Sequence, residues 1–194
     1  MDQPRIIRFL DHVSVAFALF AGLAVVILSL LICFDILARP FFRFSLQGTD
    51  ELGGYTLALI GSLGLPYALL RRGHPRIDIF LRFFPRVVRA WLHVLAYVAI
   101  AGFGLFMTVH AMHEMGETIS YGTVTNTPLQ TPLALPQGLW VLGTGMFAVV
   151  AVACAVHGMS LLRHPRRIEA LYGPLTVEEE VNEYVGDAPA APRL

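Results

Sequence analysis

Val13 to Phe34 reads VSVAFALFAGLAVVILSLLICF, 22 residues without a formal charge. Crossing about 30 Å of hydrocarbon takes about 20 helical residues, each rising about 1.5 Å, so this stretch is long enough to span a bilayer. Arg5 and Arg8 precede it as they would a secretory signal. A cleavable apolar region is shorter, and we read the stretch as a retained anchor. Three further segments meet the same length requirement: Leu52 to Leu70 between Glu51 and Arg71, Val88 to about Met112, and a span within the formally uncharged stretch Thr118 to Leu162. Pro128, Pro132, Pro136 and Gly138 disfavour helix early in that last stretch, so its span is expected from about 138.

The expectation is an all-α integral membrane protein with spans at about 13–37, 52–70, 88–112 and 138–162. They form one transmembrane domain over 1–167, followed by a tail over 168–194. Composition agrees: 56% of the 194 residues are apolar, 14% are charged, and mean hydropathy is +0.63, which is not the surface of a water-soluble globule. All 14 basic residues are arginine and 14 acids balance them, so there is no overall field to recruit nucleic acid. A cytoplasmic N-terminus places only Arg39 and Arg43 outside and the other arginines inside. Positive residues near span ends stay cytoplasmic, so both termini are expected inside.

Between the second and third spans, Pro75 to Arg89 sets Ile77, Phe80, Phe83, Phe84, Val87 and Val88 among Arg76, Arg82, Arg86 and Arg89. The pattern suits a short amphipathic helix in the inner interface, with Arg82, Arg86 and Arg89 at lipid phosphates. The alternative is an inward extension of the third span. His113 to Pro136 is expected to be an irregular outer loop, and the tail carries a capping-box pattern, Thr176 to Glu179, ahead of a Pro/Ala-rich end.

Ionisable groups at mid-membrane would mark a transport path or a redox centre, and the cores of these four spans carry no charged side chain. Asp35 lies one turn before Arg39, where an i,i+4 pair neutralises itself. Asp50 and Glu51 open the second span, where a helix N-terminus favours carboxylates and Thr49 or Asp50 can cap; the functional alternative is contact with a partner at the outer face. Gly54, Ala58 and Ser62 recur at intervals of four, a packing face for a neighbouring helix. His93 and His157 lie at similar depth, roughly 7 Å inside the inner boundary, which leaves a haem b electron-transfer subunit as the rival reading. Cys33 and Cys154 differ in depth by roughly 18 Å, too far for a disulfide. No metal-ligand spacing, nucleophile–base set or phosphate-binding glycine loop is present, so no enzyme, metal or cofactor is expected.

The order of these features resembles the small permease subunit of tripartite ATP-independent periplasmic (TRAP) transporters, the DctQ-like family. Asp35-Ile-Leu-Ala-Arg39 with Phe41 and Phe42 is similar to the polar-x-x-x-Arg-aromatic end of that family's first span. Asp50-Glu51 matches the acidic start of its second. Gly73-His74-Pro75-Arg76-Ile77-Asp78 resembles its Gly-His-x-x-hydrophobic-Asp turn, and Thr127-Pro128-Leu129 through Leu135-Pro136 its Pro-containing lead-in to the fourth span. One departure is Gly48-Thr49, where the family often has an aromatic residue. The resemblance covers about Asp11 to Arg163. It implies a non-catalytic scaffold in a bacterial inner membrane, partnered by a large permease, a periplasmic substrate-binding protein and membrane lipid. Ion-gradient symport, commonly with sodium, would take up an organic anion such as a dicarboxylate or sugar acid. Contact candidates under this reading are Asp35, Arg39, Asp50, Glu51, Gly54, Ala58, Ser62, Gly73, His74, Arg76 and Asp78.

Overall fold

The computed structural model describes residues 4–42, 48–73, 84–127 and 129–172. Five helices follow in chain order: α1 (Arg5–Phe42), α2 (Thr49–Leu70), α3 (Arg86–Tyr121), α4 (Ala134–Ser160) and α5 (Pro165–Tyr172). The first four are long and apolar enough to cross a membrane. At one end of the bundle lie the start of α1, the end of α2, the start of α3 and α5, with Arg5, Arg8, Arg71, Arg72, Arg86, Arg89 and Arg163; we call it the basic end. The other, the loop end, carries the α3–α4 connection.

The helices outrun the apolar runs that announce them. At 38 residues α1 is about 57 Å long, nearly twice the hydrocarbon thickness, so it tilts or projects beyond the apolar layer. The segment expected to be irregular from His113 is helical as far as Tyr121. No proline interrupts it, and the helix stops where Gly122 adopts φ +60 and its N–H bonds Ile119 O at 3.3 Å. Helix α4 begins at Ala134 rather than near 138. Pro136 falls in its first turn, where a backbone N–H has no helical partner to lose. Arg86 and Arg89 belong to the first turn of α3; residues 75–83 of the expected interfacial helix lie outside the described residues. A short helix not anticipated from the sequence occupies 165–172, and the Thr176 to Glu179 capping-box pattern lies with residues 173–194 outside the described residues.

Helix α4 is the centre of the bundle, packed between α2 and α3, while α1 packs on α2 and barely touches α4. The seam of α3 toward α4 is Tyr97, Ala101, Gly104, Thr108, Ala111, Met115 and Thr118, alternating steps of four and three. That 3.5-residue period is the signature of left-handed helix packing. Glycine faces a larger group at successive levels. A Cβ on Gly104 would lie 3.2 Å from Ala148 Cα, one on Gly145 would lie 3.8 Å from Thr108, and one on Gly158 would lie 3.4 Å from Val94. Lipid offers no hydrophobic drive between helices, so close backbone approach through small residues supplies the attraction. The large apolar side chains point the other way: Leu57 is 72% exposed and Phe103 60%. Hydroxyls inside the bundle bond their own helix, as Ser14 Oγ does to Leu10 O at 2.7 Å and Ser62 Oγ to Ala58 O at 2.9 Å.

Candidate partner interface

At the loop end, Glu51 sits in the first turn of α2 and is 8% exposed. Its Oε1 accepts hydrogen bonds from the Tyr55 hydroxyl at 2.5 Å and Thr125 Oγ1 at 2.8 Å, and its Oε2 accepts one from Thr127 Oγ1. The two threonine hydroxyls are 2.9 Å apart. They stand on a short turn closed by the Val124–Pro132 bridge and by Leu133 N–H to Thr123 O at 3.2 Å. One carboxylate therefore ties the start of α2 to a turn more than 70 residues away. Leu129 adds a second tie by packing over Gly48, whose φ is +97 and whose Cβ, if it had one, would lie 1.9 Å from Leu129 Cδ1. Any side chain at 48 would be strained and would displace Leu129, a local reason for glycine here. Neither Thr49 nor Asp50 caps α2: the cap position is Gly48, without a side-chain hydrogen bond. Asp50 is exposed, so the acidic pair divides into one outward and one inward carboxylate.

On α1, Arg39 Nε and Nη2 both donate to Asp35 Oδ2, at 3.0 and 2.5 Å. Asp35 is 2% exposed, although residues 29–34 beside it are exposed, and Arg39 lies over it with its side chain 57% exposed. The pair neutralises itself, with the guanidinium on its outer side. The small-residue stripe of α2 does not form one face. A step of four residues turns about 40° past a full helical turn, so Gly54 and Ala58 are exposed while Ser62 is buried against α4. A Cβ on Gly143 would lie 2.8 Å from the Ser62 carbonyl carbon. Nothing lies within 4 Å of the Cβ positions of Gly53, Gly54, Gly61 or Gly64.

At the basic end the turn after α2 is a Schellman motif. Gly73 N–H bonds Ala68 O at 2.8 Å and Arg72 N–H bonds Leu69 O at 3.3 Å. The left-handed residue is Arg72, φ +56, rather than the glycine. His74, Arg76, Asp78 and Arg82 lie outside the described residues. Arg71 stacks over Tyr67 with 5.4 Å to the ring centroid and meets Asp11 of α1 at 3.5 Å. Helix α5 covers this end by burying Ile168 and Tyr172 against Leu69, Val94, Tyr97 and Cys154. Burial raises the pKa of the Tyr172 hydroxyl well above its ordinary value, and it shares a 2.5 Å hydrogen bond with His157 Nδ1. His93 is 5% exposed and has its own partner. The His157 ring is engaged by the Tyr172 hydroxyl, and the haem reading finds no support.

Arg39, Asp50, Gly54, Ala58 and Gly73 thus reach the surface at separate places, whereas Asp35, Glu51 and Ser62 are buried in contacts within the chain. Sequence reading missed Tyr55, Thr125 and Thr127. Tyr55, one turn after Glu51, was the only one of them with a local signal. It also missed Gly143, Gly104 and Gly158, because a glycine within an apolar run does not announce its neighbour.

No match is found among curated proteins or among solved structures. A family model does match, over residues 28–161, most of the chain, from the second half of α1 to the turn after α4; its description is tripartite ATP-independent periplasmic transporters, DctQ component. This is a transport family rather than an enzyme family. A multi-pass membrane protein of four helices, small residues at its seams and large apolar ones outside, fits a transporter subunit, and the chain belongs to the DctQ component family of the TRAP transporters.

Proposed function

We propose that this chain is a static scaffold beside a large permease that carries the transport path, with the loop end facing the periplasm and receiving a substrate-binding protein. Both termini then lie in the cytoplasm of a bacterial inner-membrane system, in keeping with the arginine distribution. The transport is an ion-driven symport, with sodium as the commonest coupling ion in such systems, of an organic anion such as a dicarboxylate or sugar acid. The observation that carries the scaffold reading is the division of labour on the helices: small residues hold the bundle together, and broad apolar faces of α1 and α2 remain open. Reconstituted alone in vesicles under a sodium gradient, the chain is expected to take up no organic anion. Uptake should appear only when the large permease and the binding protein are added, and uptake by this chain alone would overturn the reading.

The open face of α2 is the surface proposed to meet the large permease. Gly54→Leu adds a side chain into open space, so the isolated subunit should melt as before. Co-purification with the permease should fall about tenfold, a loss of ~1.4 kcal/mol in association. Unchanged co-purification would place the interface elsewhere.

A further inference from the structure

The described surface carries an apolar groove of about 870 Å³, against about 150 Å³ for a cavity that holds one benzene ring. It exists because α1 packs on α2 and barely meets α4, leaving a strip of α4 uncovered between the start of α1 and the middle of α3. Val149, Val152 and Val156 form its floor, Leu105 and Thr108 one wall, and Ile6 the other. Along α4 it runs from Gly145 to Ser160, about 22 Å at the helical rise. That length exceeds the roughly 15 Å of one leaflet's hydrocarbon, so the groove accommodates a chain from one leaflet rather than a span of the whole bilayer.

Its two ends differ in chemistry. The inner portion is aliphatic, whereas the mouth at the basic end carries His157 and Ser160 beside Pro4. Arg5 follows Pro4 directly, Arg8 comes one turn later, and Arg163 stands three residues past Ser160; all three arginines are exposed. Asp11, the acid nearest along α1, is engaged by Arg71 at 3.5 Å. An apolar groove longer than one leaflet's hydrocarbon, with exposed arginines adjoining in sequence the residues of its mouth, matches an amphiphile with an acyl chain and a negative headgroup.

We infer that the α1–α3–α4 groove holds one anionic phospholipid of the leaflet at the basic end, its acyl chain along Val149–Val156 and its phosphate at Arg5 and Arg163. The lipid fills the gap that the weak α1–α4 contact leaves and steadies the start of α1 against the bundle. This goes beyond the scaffold reading and does not depend on it.

The test is native mass spectrometry of the full-length chain titrated with phosphatidylglycerol or phosphatidylcholine. The wild type is expected to retain one phosphatidylglycerol in preference to phosphatidylcholine. Replacing Arg5 and Arg163 with alanine, both exposed and outside the packed core, should lower that preference about fivefold for each arginine removed. Val152→Trp, which fills the floor, should lower retention of both lipids about tenfold. The proposal is overturned if the wild type shows no preference over the double arginine variant, or if Val152→Trp binds lipid as the wild type does. It is equally overturned if a cysteine at 152 crosslinks in native membranes to a polypeptide, because a partner helix would then occupy the groove.

Discussion

Gly143→Leu is expected to separate α2 from α4 and lower the melting temperature of the purified subunit by on the order of 10 °C. At this level the two helices approach backbone to backbone: a Cβ on residue 143 would lie 2.8 Å from the Ser62 carbonyl carbon, 2.8 Å from its Cβ and 2.9 Å from its Oγ. The nearest obstacle is main chain, so no rotamer change relieves it. Overpacking a close-packed interior costs about 1–3 kcal/mol when side chains can shift, and a backbone obstacle puts this substitution at about 3 kcal/mol or more. Adding Ser62→Gly removes the Cβ and hydroxyl contacts but leaves the carbonyl, so the double variant should recover only part of the loss. Gly61→Leu, one residue from Ser62 but with nothing within 4 Å of its Cβ position, serves as the control and should melt with the wild type. A Gly143→Leu subunit that melts with the wild type would mean the helices are not packed at this distance.

The contrast between Gly143 and Gly61 shows what a linear sequence reveals and what it conceals. A charge-free run of about 20 residues is a direct imprint of bilayer thickness, so four spans were legible from Val13–Phe34 and its three counterparts. Their ends were less legible, because a helix continues past the apolar layer until a proline or a left-handed residue stops it, as Gly122 does for α3. The spacing Gly54, Ala58, Ser62 marked α2 as a packing helix but read as one face. The 40° drift of each four-residue step turns Ser62 inward to Gly143 and leaves Gly54 outside. The Asp35–Arg39 pair was legible because both partners sit on one helix, four residues apart. Family membership was legible in the order of short motifs, from Asp35 through Gly73 to Pro136, even though the residues of the Gly-His turn beyond Gly73 lie outside the described structure. The partners of Glu51 were not legible: a carboxylate at a helix N-terminus already has a sufficient local explanation in the helix dipole, and Thr125 and Thr127 become neighbours only after α2 has crossed and α3 has returned.

Those partners separate two roles that the adjacent acids Asp50 and Glu51 would otherwise share. Glu51→Ala removes the acceptor for the Tyr55, Thr125 and Thr127 hydroxyls and leaves the turn held at α2 chiefly by Leu129 over Gly48. A segment that loses its side-chain ties opens more often, and thermolysin cleavage between 122 and 133 is expected to rise about tenfold. The transmembrane seams between α2, α3 and α4 do not involve this carboxylate, so co-purification with the large permease should be unchanged. If the pinned turn is the surface that receives the binding protein, uptake by the assembled system should fall about tenfold as well, since a docking surface must then be ordered at the moment of binding. Asp50→Ala touches only the outward carboxylate, and its turn should stay as resistant to thermolysin as the wild type. Reduced uptake in Asp50→Ala with a protected turn would make Asp50 a direct contact, whereas reduced uptake confined to Glu51→Ala would make the turn's position the requirement. A turn in Glu51→Ala as protected as in the wild type would refute the tie itself, and the inward carboxylate would then have no positioning role.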